Sequence, residues 1–143
     1  MSKAATPDIR AFFDEATFTV SYLVSDPSTR RGVVIDPVLD FDPASGEVDI
    51  RSVETILDAA RKAGITIDWV LETHAHADHL SGAPYIKAET GARIGIGERI
   101  KDVQRLFRPV FNALDLHTDG RDFDHLFRDG ETLRIGEIEV EIL

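Results

Sequence analysis

Apolar residues recur along the chain with two spacings, and these predict its elements. In "FTVSYLV", Phe18, Val20, Tyr22 and Val24 alternate with Thr19 and Ser21, which predicts a strand with the four large side chains on one face. "SDPSTRRG" carries turn residues and "VVID" reads as a short buried strand, so a hairpin is expected over residues 17–36. Residues 37–48, rich in Pro, Asp and Gly, read as a loop. Val53, Ile56, Leu57 and Ala60 repeat at helical spacing, and Gly64 ends that helix. "ITIDWVLE" holds Trp69, Val70 and Leu71 in an unbroken apolar run, as suits a strand covered on both faces. Strand, helix and strand in this order imply a crossover unit.

The second half continues the mixture. Residues 83–90 read as a helix opened by Pro84 and closed by Gly91, followed by a short strand in "ARIGIG". A further helix is expected over residues 98–107, with Ile100, Val103 and Phe107 on one side and Pro109 after it. "FRDGETLRI" suggests a hairpin around Asp129-Gly130. The last strand turns Ile138, Val140 and Ile142 inward and Glu137, Glu139 and Glu141 outward. A flexible start over residues 1–8 and one domain over residues 9–143 are expected. The class is α/β (or α+β), a mixed sheet with flanking helices.

Composition narrows the function. The 143 residues are 43% hydrophobic and 29% charged, which fits a folded domain and not a disordered chain. The net charge of −10 argues against broad binding to nucleic acid or to an anionic membrane. There is no cysteine, so a transition metal would have to be held by histidine and carboxylate. The N-terminus lacks the apolar stretch of a signal peptide, and no run approaches the roughly 18 apolar residues of a membrane span. A cytoplasmic protein is expected.

The candidate chemistry lies in "ETHAHADH", residues 72–79, where three of the five histidines fall. His74 and His76 are two apart, so an extended chain turns both rings to one side. Asp78 and His79 can fan out around a neighbouring point. Neutral imidazoles and a carboxylate suit zinc, iron or manganese. The place also fits, because α/β sheets bind ligands beyond the carboxyl ends of their strands. His117 and His125 lack such neighbours, and "DLHTDGRDFDH" reads as a solvated connection.

"THAHADH" resembles the H-x-H-x-D-H signature of the metallo-β-lactamase superfamily, and the resemblance runs from about Ile9 to Leu143. It implies the N-terminal part of an αββα sandwich. The stretch "ETHAHADHLSGAPYIKAETGARIGIG" looks like the persulfide dioxygenase and glyoxalase II-like branch, with the small Ala77 as in persulfide dioxygenases. The resemblance implies that His74, His76, Asp78 and His79 serve a metal site, with Asp78 also the catalytic carboxylate. Asp36 in "VVIDP" matches the family's early aspartate and, with Thr73, is expected to support the motif loop. One Fe(II) is implied in a dioxygenase, with His74 as a ligand, and one or two Zn in a hydrolase. The implied substrates are small glutathione-based persulfides or thioesters; the −10 charge sets nuclease branches aside.

After a strand like "EVEIL" the family continues with a further histidine in an H-T-P-G-H type segment. No His or Asp follows Glu131, apart from none at all up to Leu143, so the chain is expected to be truncated and not a competent catalyst alone. Two chains completing each other as a homodimer is the alternative. Three functions follow: an iron persulfide dioxygenase oxidising glutathione persulfide to sulfite, a binuclear zinc hydrolase of thioester or lactam type, and an inactive fragment.

Overall fold

The computed structural model describes residues 5–143, so residues 1–4 of the expected flexible start lie outside the described residues. In chain order the elements are β1 (Asp8–Asp14), β2 (Thr19–Asp26), β3 (Arg31–Ile35), β4 (Val38–Phe41), β5 (Val48–Asp49), α1 (Arg51–Ala63), β6 (Thr66–Leu71), β7 (Leu80–Ser81), α2 (Ala83–Thr90), β8 (Arg93–Gly97), α3 (Ile100–Val110), β9 (His125–Phe127), β10 (Thr132–Ile135) and β11 (Ile138–Glu141). The main sheet runs β1-β2-β3-β6-β8-β9. Its first three strands are antiparallel, and β3, β6, β8 and β9 are parallel. The expected mixed α/β class, the β2–β3 hairpin and the crossover from β3 through α1 to β6 are all present. Among the described residues, no helix is long and apolar enough to cross a membrane.

Both faces of this sheet are covered. Helices α1 and α2 cover one, where Val53, Ile56, Leu57 and Ile86 pack against Leu23, Val34, Ile67, Val70 and Ile94. The β10–β11 hairpin covers part of the other, where Leu133, Ile135, Val140 and Ile142 meet Val33, Ile35, Trp69, Leu71 and Phe127. Two-sided burial explains the unbroken apolar run of β6. The i, i+3, i+4, i+7 set of α1 is almost wholly buried. Asp40 of β4 caps the first turn of α1, accepting from the Ser52 amide at 2.8 Å and the Ser52 hydroxyl at 2.6 Å.

Several expectations are corrected. In β2 the deeply buried residues are Ser21, Leu23 and Ser25, while Phe18 and Tyr22 are exposed. The helix face of the sheet takes the small set, and the large side chains turn to the other face, which the hairpin covers only in part. Residues 37–48 are not simply a loop: β4 pairs with β5 and with β7. A strand, β1, precedes the expected hairpin and pairs along the outside of β2. Helix α3 runs on through Pro109 to Val110, since a proline in the last turn forfeits only one backbone bond. Phe107 on that helix is 43% exposed, and the buried side chain is Gln104, which accepts from the Gly120 amide. The stretch after His117 is not all solvated connection, because His125 opens β9 and joins the sheet.

The expected hairpin around Asp129-Gly130 also moves. Asp129 and Gly130 turn the chain out of β9, while β10 and β11 pair across Gly136 and Glu137, with Ile135 opposite Ile138. Gly136 has φ +59°, and an added Cβ would meet Asp26 Oδ2 at 2.6 Å. Asp26 is fully buried. It accepts from the Ser28 amide (2.9 Å) and hydroxyl (2.7 Å), the Thr29 hydroxyl (3.0 Å) and the Glu137 amide (2.9 Å). One carboxylate thus ties the β2–β3 turn to the β10–β11 turn. The strand pair β3–β6 holds one irregularity: Gly32 pairs with Ile67 but Val33 with Trp69, so β6 carries one extra residue there.

Two predictions follow from this corner. Gly136→Ala should cost about 1 kcal/mol or more, from the positive φ and the missing space, read as a lower urea midpoint. The Asp26 carboxyl is held well below the usual carboxylate range, first by the Glu137 amide and then by Ser28, with burial opposing. A depressed folded-state value gives stability that is present above about pH 4 and lost as the pH falls toward that value. Asp26→Asn should therefore be less stable than wild type at neutral pH and lose less on acidification from about pH 5 to about pH 3. Equal slopes for the two proteins would contradict this.

Candidate metal centre

The parallel pairing of β3 and β6 brings their carboxyl ends to one edge of the sheet, and the site forms there. The Asp36 amide donates to the Leu71 carbonyl at 3.0 Å, and the Glu72 amide to the Gly95 carbonyl of β8 at 2.9 Å. Asp36 has φ +51°, a left-handed conformation that Asp tolerates better than most residues, and the Ser21 hydroxyl fixes its carbonyl at 2.7 Å. This bend aims the Asp36 side chain at the motif loop. The Thr73 amide and hydroxyl donate to its two oxygens at 2.8 and 2.6 Å. All six residues singled out in the sequence, Asp36, Thr73, His74, His76, Asp78 and His79, therefore meet in one place.

The hydrogen bonds fix which nitrogen of each ring is free. The Thr73 hydroxyl gives its one proton to Asp36, so toward His74 Nδ1, 2.7 Å away, it accepts. His74 then carries its proton on Nδ1 and keeps a lone pair on Nε2. His76 is the reverse case. Its Nε2 lies 2.9 Å from Asp36 Oδ1 and 3.1 Å from Glu72 Oε2, and a nitrogen between two carboxyl oxygens must donate. The lone pair of His76 is on Nδ1. His79 Nδ1 lies 3.2 Å from Asp78 Oδ1 and 3.2 Å from the Thr19 hydroxyl, which donates to Asp78 Oδ2 at 3.2 Å. That leaves His79 Nε2, which is buried and has no hydrogen-bond partner.

An orphaned imidazole nitrogen in a buried position fits a metal ligand. The rings of His74 and His76, and those of His76 and His79, have centroids 4.2 Å apart. Asp36, His74 and His76 can each offer a donor atom within 4.8 Å of the others, and so can His76, Asp78 and His79. The two sets differ in kind. Asp36 already accepts three hydrogen bonds, so it is suited to orienting the histidines. Asp78 is half exposed, with its carboxylate toward an open groove of about 940 Å³ whose walls include Leu39, Phe41, Val48 and Leu80.

Electrostatics agree with this division. Burial alone would raise Asp36, but the Thr73 hydroxyl and amide and His76 outweigh it and keep the carboxyl ionised. Asp78 is lowered chiefly by its own backbone amide, against burial, with help from His79 and Thr19. His79 is lowered by burial and then by His76, which favours the neutral form that binds metal. Glu72 is different. Burial, with Asp36 nearby, pushes it up to about 7, against Ser81 and His76.

Glu72, Ser81 and Thr19 were not singled out by the sequence. Glu72 had one visible signal: it is a charged residue continuing the apolar run of β6, and it is 7% exposed. Ser81 donates to Glu72 Oε1 and accepts from the Ala83 amide at 3.0 Å. Neither Ser81 nor Thr19 carried a signal, since contacts across strands bring them to the site. In the metal-free chain at about pH 8, where imidazoles are neutral, nitrogen NMR should find the ring proton on Nδ1 of His74, Nε2 of His76 and Nδ1 of His79. A different tautomer at His74 or His76 would break the hydrogen-bond pattern described above.

Comparison with known proteins fits this geometry. Residues 14–142 match the family model for the metallo-beta-lactamase superfamily. The chain is 44% identical over 140 residues to a beta-lactamase hydrolase-like protein of Agrobacterium fabrum, covering 98% of this chain and 32% of that protein. It is 24% identical over 133 residues to the mitochondrial persulfide dioxygenase ETHE1 of Homo sapiens, covering 93% and 41%. The crystal structure of ETHE1 from Myxococcus xanthus has the same fold, with a TM-score of 0.67 at 24% identity, over 94% of this chain and 46% of that one. The chain spans less than half the length of each of these proteins. From the left-handed Asp36 to the last strand, the chain belongs to the metallo-β-lactamase superfamily.

Proposed function

We propose that the protein is a metal-dependent enzyme that oxidises a small thiol persulfide, glutathione persulfide in the first instance, to sulfite with one Fe(II) and O₂. The observation that carries the metal reading is the orphaned His79 Nε2 beside two histidines whose hydrogen bonds leave their facing nitrogens free. His74, His76 and His79 would hold the ion, with Asp78 as a further ligand or as the base beside it. The ion supplies Lewis acidity and the one-electron chemistry that O₂ needs to react with a closed-shell sulfur.

The chain's own residues do the rest. Asp36 and Thr73 hold the rings of His74 and His76 in place. Asp78 stays ionised, and its groove-facing oxygen can accept the persulfide proton or orient a water. Ala75 and Ala77 between the donors leave room for a sulfur substrate at the ring faces. The groove is large enough for a tripeptide-sized ligand. Its carboxylates Asp40, Asp42 and Asp49 are already engaged by Ser52, Ser45 and Arg51. The sulfur chemistry is supported by the relative named as a persulfide dioxygenase and by the small Ala77. A cytoplasmic setting, where thiols are kept reduced, fits such a substrate.

A second reading is a binuclear zinc hydrolase of thioester or lactam type. The second donor set, His76, Asp78 and His79, favours it. Metal analysis and turnover of the protein expressed from its natural gene separate the two. The expected result is about one iron per chain and O₂ uptake on glutathione persulfide, with His76→Ala losing metal affinity at least tenfold. Two zincs per chain with thioester cleavage and no O₂ uptake would overturn the dioxygenase.

A further inference from the structure

The proposed function leaves one buried group without a task. Glu72 is 7% exposed at the end of β6, and neither His74, Asp78 nor His79 uses it. Its Oε1 takes the proton of the Ser81 hydroxyl. Its Oε2 lies 3.1 Å from His76 Nε2 but has no aligned donor, because the ring proton points at Asp36 Oδ1, 2.9 Å away. A buried carboxyl oxygen without a partner is costly, so its persistence at this place needs a reason.

We propose that Glu72, anchored by Ser81, is a positioning residue for His76: it forms the second wall of a clamp that keeps the Nε2 edge of the ring inward and Nδ1 toward the metal. The inference rests on the metal reading of the motif. The geometry explains why one carboxylate does not suffice. Asp36 is shared, with Thr73 holding both of its oxygens. An imidazole hinged on Asp36 alone could rotate and present its other nitrogen. With Glu72 on the second side, the nitrogen that faces inward sits between two oxygens and must carry the proton, and the ring side chain is left 7% exposed. Ser81 makes the clamp rigid from the opposite direction. Its hydroxyl donates to Glu72, and its oxygen accepts from the Ala83 amide in the first turn of α2, so Glu72 is braced by a helix and not by a free loop. The chain of support runs from α2 through Ser81 and Glu72 to His76, separate from the one that runs from β3 through Asp36 and Thr73 to His74.

The test uses the 143-residue chain with Co(II) as the probe metal, together with nitrogen NMR of the metal-free form. Glu72→Leu removes the acceptor while keeping an apolar body. It should weaken Co(II) binding about tenfold or more, alter the visible absorption of the bound ion, and let the His76 ring proton populate Nδ1. Glu72→Gln keeps an oxygen that can face Nε2 and should stay within about threefold of wild type. Ser81→Ala should fall between them, and it carries the comparison if Glu72→Leu does not fold by circular dichroism. A folded Glu72→Leu chain with wild-type Co(II) affinity, spectrum and His76 tautomer would overturn the proposal, as would a Glu72→Gln chain no better than Glu72→Leu. The two readings fail separately: a wild-type chain that binds no Co(II) sinks the metal site, whereas the tautomer of His76 judges the clamp by itself.

Discussion

A carboxylate that has been taken out of water and then fully supplied with donors organises this end of the molecule. Asp36 lies where β3 stops, and its left-handed backbone turns its side chain across to the loop that follows β6. Burying the charge is unfavourable, and the Thr73 amide, the Thr73 hydroxyl and the His76 ring offset that cost together. None of the three bonds is local in sequence, so the network exists only when β3 and β6 are paired. The orientation of the histidines is therefore a property of the sheet. Loop residues that look free in the sequence inherit the rigidity of the two central strands.

The same logic explains why the site combines exposure with order. His74 and Asp78 reach solvent, as a substrate requires, while the side chains of His76 and His79 are nearly or wholly buried behind them. The exposed members are held by buried ones: His74 through Thr73 to Asp36, and Asp78 through Thr19 and His79. Donors that would otherwise sample many rotamers are prearranged, which reduces the entropy lost when a ligand binds.

Much of this was readable from residues, and the failures have causes. Helix α1 and strand β6 declare themselves because packing enforces a clean period, and the motif does so because three histidines and an aspartate at that spacing have a shared chemistry. Strand β1 hid because "DIRAFFD" exposes Ile9 and Phe13 and carries charge at both ends. Strands β4 and β5 hid among Pro, Asp and Gly, where their pairing comes from partners as distant as β7. The facing of β2 was reversed because a sheet covered on both sides has no polar face to set the phase. At the site, Thr19 and Ser81 could not be seen, since a hydroxyl gains its role only from what lies across from it. Thr19 is 59 residues from Asp78.

The extra residue in β6 opposite Gly32 and Val33 has a further meaning. Side chains on a strand alternate between two sides, so a strand one residue shorter from that point on would exchange the sides of all that follows. Val70 would leave the helices for the hairpin side, and Glu72 would arrive where Thr73 now meets Asp36. The irregularity in the middle of the sheet thus sets the phase of the motif at its edge. β6 can accept many changes of apolar identity, but its length is as fixed as the histidines themselves, and a deletion within it would disarm the site without touching any donor.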